Sequence, residues 1–106
     1  MKNLFMIVNP HGGLKKGLRI LDKIKPIFNK KNIKLKILET EYAGHAHKFS
    51  NELDFSGYDG ICAIGGDGTM HEIINGILKR KDQKKLPIGL ITGGTGNAFM
   101  HDLNCL

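Results

Sequence analysis

A strand, a glycine-rich turn and the start of a helix follow one another in residues 61–72, whose sequence is ICAIGGDGTMHE. The apolar residues 61–64 form a continuous run, which is typical of a short strand buried on both faces. After the GGDG turn, apolar residues recur at three- and four-residue intervals as far as Leu78 and predict a helix. We expect this helix to close in the cationic run 79–81, which suits the negative end of the helix dipole.

The same pattern extends outward along the chain in both directions. Apolar runs at 4–8 and 88–91 predict two further buried strands, each followed by a glycine-rich segment. Residues 33–38 alternate apolar side chains with lysines, which is typical of a strand at a sheet edge. Helices are predicted over 14–27, where Pro26 should kink or end the helix, and over 44–54.

This order of elements predicts a doubly wound α/β fold. Each strand-to-strand connection contains a helix, so we expect a mainly parallel sheet of four strands with right-handed crossovers and helices on both faces. Placing the lysine-rich strand at the edge gives the strand order 2-1-3-4. The winding then reverses between strands one and three, where such sheets bind ligands. The loops 9–13 and 65–69 flank that point.

Length, charge and cysteine content limit the class of protein. At 106 residues the chain is one domain, which excludes a two-domain enzyme. Ten Lys or Arg stand against one acid in residues 1–38, so a nucleotide or an anionic lipid surface is a suitable partner for this half. Two cysteines make no disulfide framework, which indicates the cytoplasm. No apolar run is long enough to span a membrane, so we expect any membrane contact to be peripheral.

Three glycine clusters, at 12–13, 65–68 and 93–96, each follow a predicted strand. They should gather on one rim of the sheet, where backbone N–H groups and helix N-termini favour a polyphosphate. The alternative is that tight strand-to-helix turns simply need glycine. No cluster matches a P-loop or a G-x-G-x-x-G fingerprint, which argues against a P-loop NTPase and an ordinary Rossmann dehydrogenase.

Five motifs occur in an order that resembles the catalytic domain of diacylglycerol kinases, a family that includes sphingosine kinases and bacterial lipid kinases. They are NPHGG at 9–13, Thr40 with GHA at 44–46, GGDGT at 65–69, HEIING at 71–76 and GTGN at 94–97. The resemblance implies an ATP-binding domain over 1–106 that transfers the γ-phosphoryl of Mg-ATP to a lipid hydroxyl. Diacylglycerol or a sphingoid base would be the acceptor, and no nucleic acid is expected as a partner.

The resemblance also assigns roles to residues. Asp67 would be the catalytic residue, either as the base for the lipid hydroxyl or as a group that helps to hold Mg²⁺. No resident metal site is expected. The nucleotide-binding positions would be Asn9, His11, Thr40, Gly65, Gly66, Gly68, Thr69, Glu72, Gly94, Thr95 and Gly96.

Several of these residues also have a purely structural explanation. Thr69 and Glu72 have the spacing of a capping box, and Asp67 could form an Asx turn. His45 and His47 lack a third metal ligand and should be structural or solvated.

Two other functions remain open on the sequence. An NAD-kinase-like phosphotransferase shares the GGDGT motif, and a non-catalytic nucleotide-binding module would need no lipid site. In the resembled family a β-rich domain that binds lipid follows this unit. We expect that domain to be missing from these 106 residues, whether because the chain is a fragment or because another polypeptide supplies it.

Overall fold

The structure, a computed structural model, describes residues 2–10 and 17–91. Four strands and three helices alternate along this part of the chain. They are β1 (Lys2–Val8), α1 (Gly17–Lys30), β2 (Ile33–Glu39), α2 (His45–Glu52), β3 (Gly60–Ile64), α3 (Asp67–Leu78) and β4 (Ile88–Ile91). The strands form one sheet in the order β2-β1-β3-β4, and every neighbouring pair is parallel. The predicted fold class and strand order are both confirmed.

Side chains of the two central strands alternate between the faces of the sheet, as the pleat requires. Leu4, Met6 and Val8 of β1 pack with α1 on one face. Phe5 and Ile7 of the same strand face α2 and α3 on the other. Because both faces are covered, residues 4–8 of β1 and the whole of β3 are continuous apolar runs with no polar alternation.

The edge strand β2 has the predicted asymmetry. Lys34 and Lys36 are exposed, whereas Leu35 packs against the α1 side of the core. Lysines on an edge strand discourage pairing with another chain. The alternation fails at Ile37, which is 36% exposed, so the edge is less regular than the sequence indicated.

Two expectations about the ends of helices are wrong or incomplete. Pro26 does not end α1, which continues to Lys30; its ring is exposed, so water can reach the carbonyl that loses a helical partner. The third helix ends at Leu78, and no basic residue lies in its last turn. Arg80 is instead buried, where it donates hydrogen bonds to the carbonyl of Ser50 at 3.0 Å and to Asp82.

Candidate functional site

The carboxyl ends of the parallel strands bring three predicted site residues to one edge of the sheet. The N–H of Asn9 donates to the carbonyl of Ile64 at 3.1 Å, which continues the β1–β3 ladder one residue beyond β1. On the other side of β1, the N–H of Thr40 donates to the carbonyl of Val8 at 2.8 Å. Gly65 directly follows β3 at the same edge. The winding of the sheet reverses here, between β1 and β3, as predicted.

The turn between β3 and α3 leaves backbone amides at the start of a helix without a side-chain cap. The helix begins at Asp67, Gly66 is its N-cap, and no side-chain hydrogen bond caps it. The capping box predicted for Thr69 and Glu72 is therefore wrong, because the helix starts before Thr69. The amides of a first helical turn have no helical acceptor and carry a partial positive charge, so they suit an anion.

Packing explains why residue 65 is a glycine. A Cβ placed on Gly65 would lie 2.7 Å from the hydroxyl oxygen of Thr69, which is too close. At Gly66 and Gly68, in contrast, a Cβ would meet no atom of the described residues within 4 Å. Among the described residues, neighbouring atoms thus explain the glycine only at position 65 of these three, and the space beside the other two glycines could receive a ligand.

A cleft of about 330 Å³ lies beside this turn. Its lining includes four of the predicted nucleotide-binding residues, which come from three places in the chain: Asn9, Thr40, and Thr69 with Glu72 of α3. Gly65, Gly66, Asp67 and Gly68 are not part of the lining. The predicted residues therefore divide into a cleft and an adjoining glycine turn. Residues His11, Gly94, Thr95 and Gly96 lie outside the described residues.

Sequence reasoning missed half of the cleft wall. Glu41, Tyr42 and Ala43, in the turn after β2, line it together with Ala46 of α2. Their position directly after Thr40 was the available signal, but nothing in the residue types distinguishes them from an ordinary turn. Gly44 shapes this turn through a left-handed conformation with φ of 92°, which favours glycine.

The charged residues of the cleft lining are both acidic. Glu41 and Glu72 supply carboxylates, and the lining residues in the described part of the chain include no lysine or arginine. A cleft of this kind suits a neutral group that donates hydrogen bonds better than it suits phosphate. In the described ranges no three of the His, Cys, Asp and Glu side chains form a metal-binding group. A Mg²⁺ ion held by one carboxylate together with substrate phosphates needs no such group.

Comparison with known proteins identifies the family of the chain. The family model of the diacylglycerol kinase catalytic domain matches residues 3–105. Sphingosine kinase 1 of Arabidopsis thaliana is 43% identical over 106 residues, which cover 96% of this chain and 22% of that protein. Sphingoid long chain base kinase 4 of Schizosaccharomyces pombe is 37% identical, with 95% of this chain and 23% of that protein covered. The chain thus spans less than a quarter of the length of these relatives.

A solved structure gives the same result. The crystal structure of a diacylglycerol kinase from Bacillus anthracis superposes with a TM-score of 0.69 at 34% sequence identity. The match covers 89% of this chain and 31% of that one. In the described part of the present chain, no helix has the length and apolar content of a membrane-crossing segment.

Proposed function

Since this chain belongs to the diacylglycerol kinase catalytic domain family, we propose that it is the ATP-binding part of a lipid kinase. The observation that carries the proposal is that the cleft lies beside the start of α3, at the point where the winding of the sheet reverses. The start of α3 has no side-chain cap and follows a glycine-rich turn. The triphosphate would lie on the glycine turn and the base and ribose in the cleft. This division follows from charge, because the amides at a helix start attract anions and the cleft carries carboxylates.

The reaction proposed is transfer of the γ-phosphoryl group of Mg-ATP to a lipid hydroxyl. The hydroxyl oxygen forms a bond to the γ-phosphorus while the bond to the bridging oxygen breaks, which releases ADP. Asp67, the exposed first residue of α3, adjoins the phosphate turn. Its carboxylate would either accept the hydroxyl proton or help to position the Mg²⁺ that arrives with ATP.

The relatives named sphingosine kinase and sphingoid long chain base kinase favour a sphingoid base as the acceptor over diacylglycerol. The relatives are more than four times as long as the matched region, so we propose that a further lipid-binding domain completes the enzyme. The acceptor would then be bound mainly outside these residues. The basic half of the chain, residues 1–38, would help to hold the domain at an anionic lipid surface.

Titration with Mg-ATP tests the nucleotide part of this proposal. We expect saturable binding by the full chain, and we expect Gly66→Arg to remove it, because a long side chain would fill the open space beside the turn. His71→Ala, an exposed change one helical turn further along α3, serves as a control for general effects on the helix. The absence of saturable binding would overturn the proposed ligand.

Catalysis needs a separate test with the lipid-binding domain present. The chain can replace the matching region of Arabidopsis sphingosine kinase 1, to which it is 43% identical. We expect the chimera to phosphorylate a sphingoid base and Asp67→Asn to lower kcat by at least about a hundredfold. Normal turnover with Asp67→Asn would show that the assignment is wrong. Nucleotide binding with no turnover in the chimera would instead indicate a non-catalytic binding module.

A further inference from the structure

The turn between β2 and α2 forms half of the cleft wall. Thr40, Glu41, Tyr42 and Ala43 are four of the eight residues that line the cleft. Thr40 is fixed by its place in the sheet, since it is buried and its N–H bonds to the carbonyl of Val8. The next three residues are exposed. Their position must therefore be set by contacts at the other end of the turn, where α2 begins.

His45, the first residue of α2, makes those contacts. Its Nδ1 atom accepts a hydrogen bond from the N–H of Glu41 at 2.9 Å. Its own N–H donates to the carbonyl of Tyr42 at 3.1 Å. The imidazole also stacks between two rings, with centroids 4.3 Å from that of Tyr42 and 4.1 Å from that of Phe49. One half-buried side chain thus connects the turn to the helix in two ways.

The bond to Glu41 defines the chemical state of the imidazole. A backbone N–H can only donate, so Nδ1 must accept and cannot carry a proton. The proton of the neutral ring is then on Nε2. In this state the His45 side chain both accepts a hydrogen bond and stacks as an aromatic ring. Neither an aliphatic nor a phenyl side chain does both.

From this geometry we propose that His45 is a positioning residue for the nucleotide cleft. Its unprotonated Nδ1 holds Glu41, and through it residues 41–43, in the position that forms the cleft wall. His45 does not line the cleft, so it acts through the turn. The inference rests on the proposed function for the identity of the ligand. The assignment of the tautomer does not depend on that function.

Two replacements separate the hydrogen bond from the ring stacking. His45→Phe keeps an aromatic ring between Tyr42 and Phe49 but has no acceptor. His45→Asn places a carbonyl oxygen near the position of Nδ1 and gives up the ring. If His45 only packs against its neighbours, His45→Phe should weaken Mg-ATP binding less than His45→Asn does. If the hydrogen-bond acceptor of His45 positions the turn, His45→Asn should weaken binding less.

The tautomer is measured first, by nitrogen-15 NMR of the histidine rings of the full chain at about pH 8, with His45 assigned by comparison with His45→Asn. We expect the signals of a ring protonated on Nε2. A ring protonated on Nδ1 would overturn the inference whatever the chain binds, since that nitrogen could not accept the Glu41 N–H.

Mg-ATP titration of the same chain then tests the effect on the cleft. We expect His45→Phe to weaken binding about two- to tenfold, the range for one lost hydrogen bond, and His45→Asn to stay within about twofold of the wild type. Equal binding by wild type and His45→Phe, or equal losses in both variants, would overturn the inference and leave the proposed function intact. If the wild-type chain does not bind Mg-ATP, the proposed function fails and the nucleotide part of the inference fails with it.

Discussion

At the scale of single residues, Gly65 and Gly68 show that the glycines of one turn have different physical causes. A Cβ on Gly65 would collide with Thr69, a buried residue of the cleft wall. A Cβ on Gly68 would meet no atom of the described residues within 4 Å, and Gly68 lies inside α3, where alanine is the better helix former. The packing of the described residues therefore gives no reason for a glycine at 68. The proposed phosphate site does give one, because a methyl group there would occupy the space needed by the anion.

Gly68→Ala should consequently separate stability from binding. We expect the free energy of unfolding to rise by about 0.5 kcal/mol, because the helix gains an alanine without a clash. We expect Mg-ATP affinity to fall about tenfold, equivalent to about 1.4 kcal/mol. Urea unfolding and calorimetric titration measure the two quantities. Asn75→Ala, an exposed change in the same helix, is the control and should leave affinity unchanged. Unaltered affinity in Gly68→Ala would contradict a phosphate site at this turn.

At the scale of elements, the close approach of α2 and α3 sets the geometry of the cleft. Ala46 of α2 lines it together with Thr69 and Glu72 of α3. Gly76 permits the approach, since a Cβ there would clash with the hydroxyl of Ser50 and lie 2.5 Å from the carbonyl oxygen of His47. One of the obstructing atoms belongs to the backbone of α2, so a larger residue must push the two helices apart.

Gly76→Ala is therefore expected to destabilise the fold by about 1–3 kcal/mol, the range for an overpacked core position. Because the displaced helices carry cleft residues, Mg-ATP affinity should fall as well. Urea unfolding measures the loss of stability, with Asn75→Ala, one residue earlier and exposed, as the matched comparison. If Gly76→Ala were as stable as Asn75→Ala, the helix crossing would not be as tight as the structure indicates.

The elements also show what the sequence could predict. Hydrophobic patterning was sufficient for the strands and their order, because burial on both faces produces apolar runs in β1 and β3 and the edge position produces the lysine alternation of β2. It could not place the start of α3, since Asp67 and Gly68 are poor helix formers that are helical only in this context. It also could not find the role of His45, whose partners Glu41 and Tyr42 become neighbours only once the turn has formed.

At the scale of the whole molecule, Arg80 joins parts of the chain that are distant in sequence. Its guanidinium donates to the carbonyls of Ser50 and Asn51 at 3.0 and 3.2 Å, and it lies 3.6 Å from the centroid of the Phe55 ring. Two further hydrogen bonds go to the carboxylate of Asp82, at 2.9 and 2.6 Å. The arginine side chain is 4% exposed, so these partners compensate for its desolvation. The segment after α3 is thereby fastened to the end of α2.

This cluster makes the stability of the fold depend on acid pH through Asp82. The hydrogen bond from Arg80, and then that from the N–H of Lys84, lower the pKa of Asp82 from 3.8 to about 2. Because the pKa is lower in the folded protein, this stabilisation is fully present above about pH 4 and is lost as the pH falls toward 2. Asp82→Asn should therefore lower the free energy of unfolding at pH 7, and its difference from the wild type should shrink between pH 4 and 2. Urea unfolding at pH 7, 4 and 3 measures this difference.

Asp22→Asn is the control at pH 7. Little change in the free energy of unfolding is expected there, because the 4.0 Å ion pair between Asp22 and Lys25 is exposed at both ends. A difference between Asp82→Asn and wild type that stayed constant down to pH 3 would show that the Arg80–Asp82 contact does not act on the stability of the whole domain.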